Sequence, residues 1–129
     1  MVLDGHDSFL VGVDFGTLSG RALVVRGSDG EELGSAVHEY ANGVIDAVLP
    51  CTGTKLEESW ALQDPGDWLE VLAIAVPAAV QAAGIDPARI VGIATAFTAS
   101  TPLPVLRDGT PLCRLSSAIR IESLWRPYG

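Results

Sequence analysis

The hydrophobic pattern predicts three closely spaced strands in the first third of the chain. Residues 9–15 form a continuous apolar, β-branched run, which is typical of a buried strand. A second strand is expected over residues 21–26, and a third, with looser alternation, over residues 32–40. Asp29-Gly30 between them favours a hairpin turn because glycine tolerates a positive φ. The three strands therefore predict an antiparallel meander.

The period changes to that of a helix after an irregular stretch over residues 41–63. Asp64 can cap free N–H groups, Pro65 suits the first helical position, and Gly84 is a typical C-terminal stop. Pro77 lies inside this helix and is expected to kink it or divide it in two. The helix therefore spans most of residues 64–84.

One further strand is predicted from the short apolar run over residues 89–94. A helical crossover precedes it, which favours a parallel partner. Residues 105–112 contain a second Asp-Gly and predict a small hairpin. The order β-β-β-α-β indicates an α/β protein with a mixed sheet rather than a Rossmann alternation.

Composition and charge narrow the class of protein. The 129 residues allow one domain at most, and 48% hydrophobic residues exclude a disordered chain. The net charge of −8 makes binding to nucleic acid or an anionic membrane unfavourable. We expect a cytoplasmic protein with reduced thiols at Cys51 and Cys113, because no signal peptide and no apolar run of about 20 residues is visible.

The segment from Asp14 to Arg21 carries the candidate chemistry, because it is a glycine-containing turn between two strands. Gly16 and Gly20 let backbone N–H groups point inward around an anion, and Thr17 and Ser19 add hydroxyl donors. Asp14 ends the first strand, where a carboxylate beside bound phosphates can hold Mg²⁺, often through water. Neither a Walker loop nor GxGxxG is present. The alternative is an ordinary hairpin turn in which Arg21 pairs with Asp14.

The residues of this segment resemble the first phosphate motif of the sugar-kinase, actin and heat-shock ATPase superfamily. The sequence VGVDFGTLSGRALVV is most similar to that of FGGY carbohydrate kinases. Four later segments resemble the bacterial L-ribulokinases among them: residues 43–50, 58–72, 76–80 and 90–113. The resemblance covers about residues 10–113 and implies the front part of an N-terminal, ribonuclease-H-like domain.

The resemblance also implies a function. An enzyme of this family would use ATP and Mg²⁺ to convert L-ribulose to L-ribulose 5-phosphate, a step of arabinose catabolism. The residues that would hold the nucleotide and the metal are Asp14 (also catalytic), Gly16, Thr17, Ser19 and Arg21. The residues that would line the sugar site are Trp60, Gln63, Thr98, Ala99, Ser100 and Thr101. Of these, Thr98 to Thr101 follow the predicted parallel strand, where open sheets place their ligands.

Two departures from the family pattern limit the prediction. The similarity fades after Cys113, so residues 114–129 are expected to be a divergent or truncated tail with a different charge balance. Ala96 stands where ribulokinase-like sequences usually place an aspartate, which puts sugar binding in doubt. A chain of this length lacks the second cleft wall of the family, and we expect it to be inactive as a kinase by itself.

Three classes of function stay open on these observations. The first is a portion of a ribulokinase, the second a non-catalytic module that binds sugar or nucleotide, and the third a polymerising actin-like protein. The third does not explain the segments at 58–72 and 90–113. A sheet that ends at its fourth strand leaves an unpaired edge and an apolar face. We therefore expect a homodimer or a larger assembly through that edge.

Overall fold

The computed structural model describes residues 7–50, 52–99 and 101–115. The chain divides after residue 99 into two compact units, and each is described by itself. The first unit carries the sheet, the helix and the glycine-containing turn. Ser100 and most of the predicted tail, residues 116–129, lie outside the described residues, so a domain boundary at residue 113 stays a prediction.

A four-stranded mixed sheet forms the first unit. Its strands are β1 (Phe9–Phe15), β2 (Ser19–Arg26), β3 (Glu32–Glu39) and β4 (Ile90–Phe97), in the order β3-β2-β1-β4. The first three are antiparallel neighbours and β4 runs parallel to β1. The predicted meander, the parallel fourth strand and the α/β class are confirmed. The bounds shift by one to three residues: β2 begins two residues earlier than expected, β3 ends one residue earlier, and β4 begins one residue later and extends three residues further.

The α-helix that packs on the sheet, α1, spans Pro65–Ala83. Asp64 caps it by accepting a hydrogen bond from the Gly66 amide at 2.7 Å, and Gly84 ends it in the left-handed conformation with φ of 63°. Both ends thus agree with the sequence prediction. The expectation that Pro77 divides the helix is wrong, because α1 is continuous through it. Pro77 lies on the exposed side of α1.

The core of this unit lies between α1 and the sheet. Alternate residues of β1 face the helix and are buried, and so are Ala22 and Val24 of β2. The helix contributes the stripe Val71, Ala75 and Ala79, each at most 1% exposed. Burying a side chain of the size of Val71 stabilises a fold by about 1.5–3 kcal/mol, and the small alanines let the helix approach the sheet closely. This stripe accounts for the docking of α1 on β2 and β3.

Several apolar side chains remain outside the helix cover. Val91 and Ile93 of β4 are 68% and 60% exposed, and Leu69 on the outer side of α1 is 67% exposed. Phe97 is 52% exposed, but its ring stacks on that of Phe15 at 4.4 Å and meets the ring of Trp68 of α1 edge-on at 5.7 Å. By length and composition alone, α1 is also apolar enough to cross a membrane, which the sequence pattern did not lead us to expect. Core helices pass the same test, and the buried stripe of α1 packs against the sheet.

The second unit contains the predicted small hairpin. Val105 and Pro111 form an antiparallel bridge, and the Leu106 amide donates to the Thr110 carbonyl at 2.8 Å. Gly109 has a φ of 86°, as the Asp-Gly turn requires. A short 3-10 turn, Leu112–Arg114, follows.

Substitution of Gly34 should destabilise the fold strongly. A Cβ at Gly34 would meet the backbone of α1, 2.7 Å from the Ala79 carbonyl oxygen and 2.9 Å from the Ala82 carbonyl carbon. Gly34→Ala is therefore expected to lower the free energy of unfolding by about 1–3 kcal/mol, measured by urea unfolding. Gly12→Ala is the matched control, because a Cβ there meets no atom within 4 Å. Equal losses in the two variants would contradict the close approach of helix and strand.

Replacement of Tyr40 should change how stability depends on pH. Tyr40 is 7% exposed, and its hydroxyl has no hydrogen-bond partner among the described residues. Burial raises the pKa of Tyr40, and the charges of Asp14 and Asp67 raise it further. The folded-state pKa therefore lies above the unfolded value of about 10. Below pH 10 the phenol is neutral in both states, and the stability that neutral Tyr40 contributes is complete. This stability is lost as the pH rises through the folded-state pKa.

We therefore expect Tyr40→Phe to gain stability over the unaltered chain as the pH rises above about 10. At pH 7 the free energy of unfolding should be unchanged or about 1 kcal/mol higher, since an unpaired buried hydroxyl is removed. Urea unfolding at pH 7 and pH 10.5 measures both differences. A marked loss of stability at pH 7 would show that the hydroxyl is satisfied by a partner.

Candidate functional site

The turn between β1 and β2 has the backbone arrangement of an anion site. The Gly16 amide donates to the Ser19 carbonyl at 2.9 Å and closes the turn. Gly16 is needed there, because a Cβ would lie 2.8 Å from that same carbonyl oxygen. In the described part of the chain, no group accepts a hydrogen bond from the amides of Thr17 or Leu18, and both residues are exposed. Two exposed N–H donors in succession are suited to phosphate oxygens.

Asp14 and Arg21 flank this turn as direct cross-strand partners. Arg21 Nε lies 3.6 Å from Asp14 Oδ2, and the two side chains are 60% and 50% exposed. An exposed pair of this kind contributes about 0–1 kcal/mol, so it does not hold either side chain firmly. The pairing expected of an ordinary hairpin is thus present, while half of the carboxylate remains open to solvent. Ala96 is the neighbour of Asp14 on the parallel strand β4, and it is exposed.

The end of β4 brings part of the predicted sugar segment to the turn. β1 and β4 are parallel, so their carboxyl ends meet at one edge of the sheet. The Thr98 amide donates to the Phe15 carbonyl at 3.1 Å, directly before Gly16. Ala99 follows and is exposed, whereas Thr101 belongs to the second unit. Asp14, the turn and Thr98 therefore share one edge of the sheet.

The other two predicted sugar contacts are Trp60 and Gln63, and they differ in whether they contact the turn. Gln63 reaches the turn, since its Nε2 donates to the Thr17 carbonyl oxygen at 2.7 Å. Trp60 is half-buried and follows Ser59, whose φ is 76°. The Trp60 backbone amide donates to the Glu57 carbonyl at 3.2 Å. Across residues 7–50 and 52–99, no hydrogen bond links Trp60 to the turn. A hydrogen bond thus joins Gln63 to the glycine-containing turn, and none joins Trp60 to it among these residues.

A buried carboxylate beside the turn escaped the sequence analysis. Asp67 is 3% exposed in the first turn of α1. It accepts hydrogen bonds from the Asn42 side-chain amide at 2.9 Å and from the Asn42 backbone amide at 3.2 Å. The favourable field at a helix N-terminus also stabilises its charge. This clamp holds the loop after β3 against α1, and its signal in the sequence was only an acidic residue near a helix start.

The acidic side chains near the turn determine whether it could hold a metal ion. No group of three or more His, Cys, Asp or Glu side chains in the described ranges could hold a metal without other ligands. Mg²⁺ typically binds one or two carboxylates and completes its shell with water and phosphate oxygens. The half-exposed carboxylate of Asp14, close to the exposed amides of the glycine-containing turn, fits this requirement.

A shallow cavity of about 290 Å³ lies on the other flank of the turn. It is lined by Leu18, Ser19, Glu39, Tyr40 and Gly43. The Glu39 carboxylate makes this cavity unfavourable for an anion. Phosphate therefore fits the exposed amides of Thr17 and Leu18 better than the cavity.

Sequence comparison finds ribulokinases as relatives of this chain. The chain is 53% identical to the ribulokinase of Mycolicibacterium smegmatis, over 99% of its own length and 24% of that protein. It is 50% identical to the ribulokinase of Anoxybacillus flavithermus, over 81% of its own length and 18% of that protein. The chain thus spans about a fifth to a quarter of the length of the curated relatives it matches. No family model matches it.

Structural comparison gives a sugar-kinase fold. A xylulose kinase from Brucella ovis superposes with a TM-score of 0.62 at 20% identity, over 80% of this chain and 19% of that one. This likeness shows the fold alone, and that fold agrees with the predicted α/β class with a mixed sheet. The described chain therefore has part of the fold of the sugar kinases, and its curated sequence relatives are ribulokinases.

Proposed function

We propose that this chain forms the phosphate-binding part of a cytoplasmic, ATP-dependent ribulokinase, which transfers a phosphoryl group to a hydroxyl of L-ribulose to give L-ribulose 5-phosphate. One observation carries the proposal. The exposed amides of Thr17 and Leu18 stand beside Asp14 and Thr98 at one edge of the sheet, in a chain about 50% identical to ribulokinases.

In this proposal the turn binds phosphate and Asp14 holds Mg²⁺, directly or through water. The metal would neutralise charge on the phosphates, which is the main requirement of phosphoryl transfer. The amides of Thr17 and Leu18 and the hydroxyls of Thr17 and Ser19 would donate to phosphate oxygens. Arg21, whose exposed pairing with Asp14 is weak, would turn its guanidinium towards the same oxygens.

The sugar is proposed to lie at the carboxyl end of β4. Thr98 begins this segment, and the exposed backbone of Ala99 leaves room for a small ketose. Trp60 would add an apolar face, whereas Ser100 lies outside the described residues and Thr101 belongs to the second unit, so their part in sugar binding stays a prediction from the sequence. Because the chain spans about a quarter of the matched ribulokinase, the groups of a second cleft wall would come from elsewhere. Because the chain spans only this share of the ribulokinase, the alternative function of the chain by itself is that of a module that binds sugar or nucleotide without turnover.

We further propose that the chain self-associates through β4. This strand lies at one edge of the sheet and presents Val91, Ile93 and Phe97 with more than half of each side chain exposed. Unpaired N–H and C=O groups on such an edge accept another strand. Apolar neighbours add a favourable contact area. The proposed partner is a second copy of the chain.

Asp14→Asn should reduce turnover far more than it weakens sugar binding. The test uses a hybrid kinase in which residues 7–99 of this chain replace the matching segment of the Mycolicibacterium smegmatis ribulokinase. We expect kcat to fall about 100-fold or more, the size of loss seen when one preorganised charge-stabilising group is removed. Affinity for L-ribulose, measured by calorimetric titration, should change by less than about threefold, roughly 0.6 kcal/mol.

Asp86→Asn is the matched control, because Asp86 caps the short turn before β4, at the opposite end of that strand, and asparagine caps equally well. The chain of 129 residues by itself should release no ADP that depends on L-ribulose. Equal losses of turnover and sugar affinity in Asp14→Asn would assign Asp14 a structural role. An unaltered hybrid without activity would overturn the proposed function.

Val91→Lys should disrupt self-association, and Val37→Lys should not. Val91 lies on the edge strand β4 and Val37 on the opposite edge strand β3, and they are 68% and 64% exposed. A lysine on a pairing edge opposes association because its charge must leave water. Light scattering of the chain at micromolar concentration should give a dimer or larger species for the unaltered chain and Val37→Lys, and a monomer for Val91→Lys. A monomer in all three samples would overturn the proposed pairing.

A further inference from the structure

The hydrogen bond from Gln63 to the turn joins two segments that lie 46 residues apart. Its Nε2 is 2.7 Å from the carbonyl oxygen of Thr17, a short distance for an N–H donor and a carbonyl acceptor. The sequence analysis placed Gln63 in the sugar site, where its amide would contact a hydroxyl of the substrate. In the structure its amide nitrogen instead binds the backbone of the phosphate turn.

Every carbonyl between Thr17 and Ser19 is held by a donor within the protein. Gln63 Nε2 donates to Thr17, the Tyr40 amide donates to Leu18 at 2.9 Å, and the Gly16 amide donates to Ser19 at 2.9 Å. Because a trans peptide is planar, its C=O and the following N–H point in opposite directions. A donor that holds the Thr17 carbonyl on one side therefore directs the Leu18 N–H to the other side. That N–H is one of the two exposed donors of the turn.

Gln63 can exert this control because its own backbone is fixed on both sides. The preceding residue, Leu62, exchanges two hydrogen bonds with Ile45, each 2.9 Å long. The following residue, Asp64, caps α1 through the Gly66 amide. Gln63 is half-buried between these anchors, so little side-chain freedom is lost when its amide binds the turn.

We infer that Gln63 is a positioning residue of the phosphate turn, which orients the Leu18 N–H towards the phosphate of the nucleotide. This inference rests on the proposed function, because it names the ligand of the same turn. It assigns Gln63 to the nucleotide half of the site instead of the sugar half. A loss of the Gln63 amide should therefore act on MgATP and on turnover, with little effect on L-ribulose.

The first test measures backbone order in the full chain of 129 residues, without any enzyme activity. Gln63→Met keeps the length of the side chain but removes its donor, and Gln81→Met makes the same change at an exposed position of α1. By NMR hydrogen exchange, the Gly16 and Tyr40 amides should exchange about three- to tenfold faster in Gln63→Met, the effect of losing one hydrogen bond. Amides of the β1 core should exchange at an unchanged rate in both variants, which separates a local change from global loss of stability.

The second test measures kinetics in the hybrid kinase described above. Gln63→Met should lower kcat/KM for MgATP about tenfold and leave KM for L-ribulose within about twofold, roughly the effect of one misaligned donor. Gln81→Met should leave both constants unchanged. A raised KM for L-ribulose with normal MgATP constants would return Gln63 to the sugar site and overturn the inference.

The outcomes also separate this inference from the proposed function. Unchanged exchange of the Gly16 and Tyr40 amides in Gln63→Met overturns the positioning role, whatever the hybrid does. Faster exchange with unaltered MgATP constants also overturns it, because the tie would then be structural only. An unaltered hybrid with no turnover overturns the proposed function through a different measurement.

Discussion

The close approach of α1 to the sheet is the constraint on which the rest of the structure depends. Two strand glycines permit it: a Cβ at Gly20 would overlap both methyl groups of Val71, and one at Gly34 would overlap the backbone of α1 near Ala83. With the helix this close, its first turn lies beside the phosphate turn. Gln63, just before the helix, and Asp67, just inside it, can then reach the loops that border the site. The close approach of α1 to the sheet therefore determines both the packing of the core and the geometry of the site.

Elements with a local signal were predicted well from the sequence. β1 is a continuous apolar run, and its predicted bounds agree with the structure. The ends of α1 follow from Asp64 and Gly84, whose capping depends on their own conformation. Pro77 does not divide the helix, because it lies on the exposed side and the opposite side of α1 packs on the sheet through the buried stripe. The start of β2 at Ser19 was missed because the turn residues before Arg21 pair with β3, a contact that only the folded sheet supplies.

The candidate site was predictable as a set of residue types and not as a set of contacts. The glycine spacing and Asp14 marked the turn between β1 and β2 as the candidate site, and the place of Thr98 next to it followed from the parallel strand, whereas phosphate binding there stays a prediction. The bond from Gln63 to Thr17 and the clamp between Asp67 and Asn42 each join residues at least 25 positions apart. No periodicity in the sequence reports such a pairing, since it arises from how the irregular residues 41–63 fold back. Predicting those contacts required the tertiary structure.

The register of β1 against β4 places Ala96 beside Asp14 on the same face of the sheet. Adjacent strands lie about 4.8 Å apart, so a carboxylate at position 96 would stand next to that of Asp14. Two such neighbours repel one another unless a cation or a proton lies between them. Every alanine codon differs by one nucleotide from a codon for aspartate or glutamate, so a single point mutation separates a one-carboxylate edge from a two-carboxylate edge. One nucleotide change would thus add a second carboxylate beside Asp14 and make this edge of the sheet favour a divalent cation.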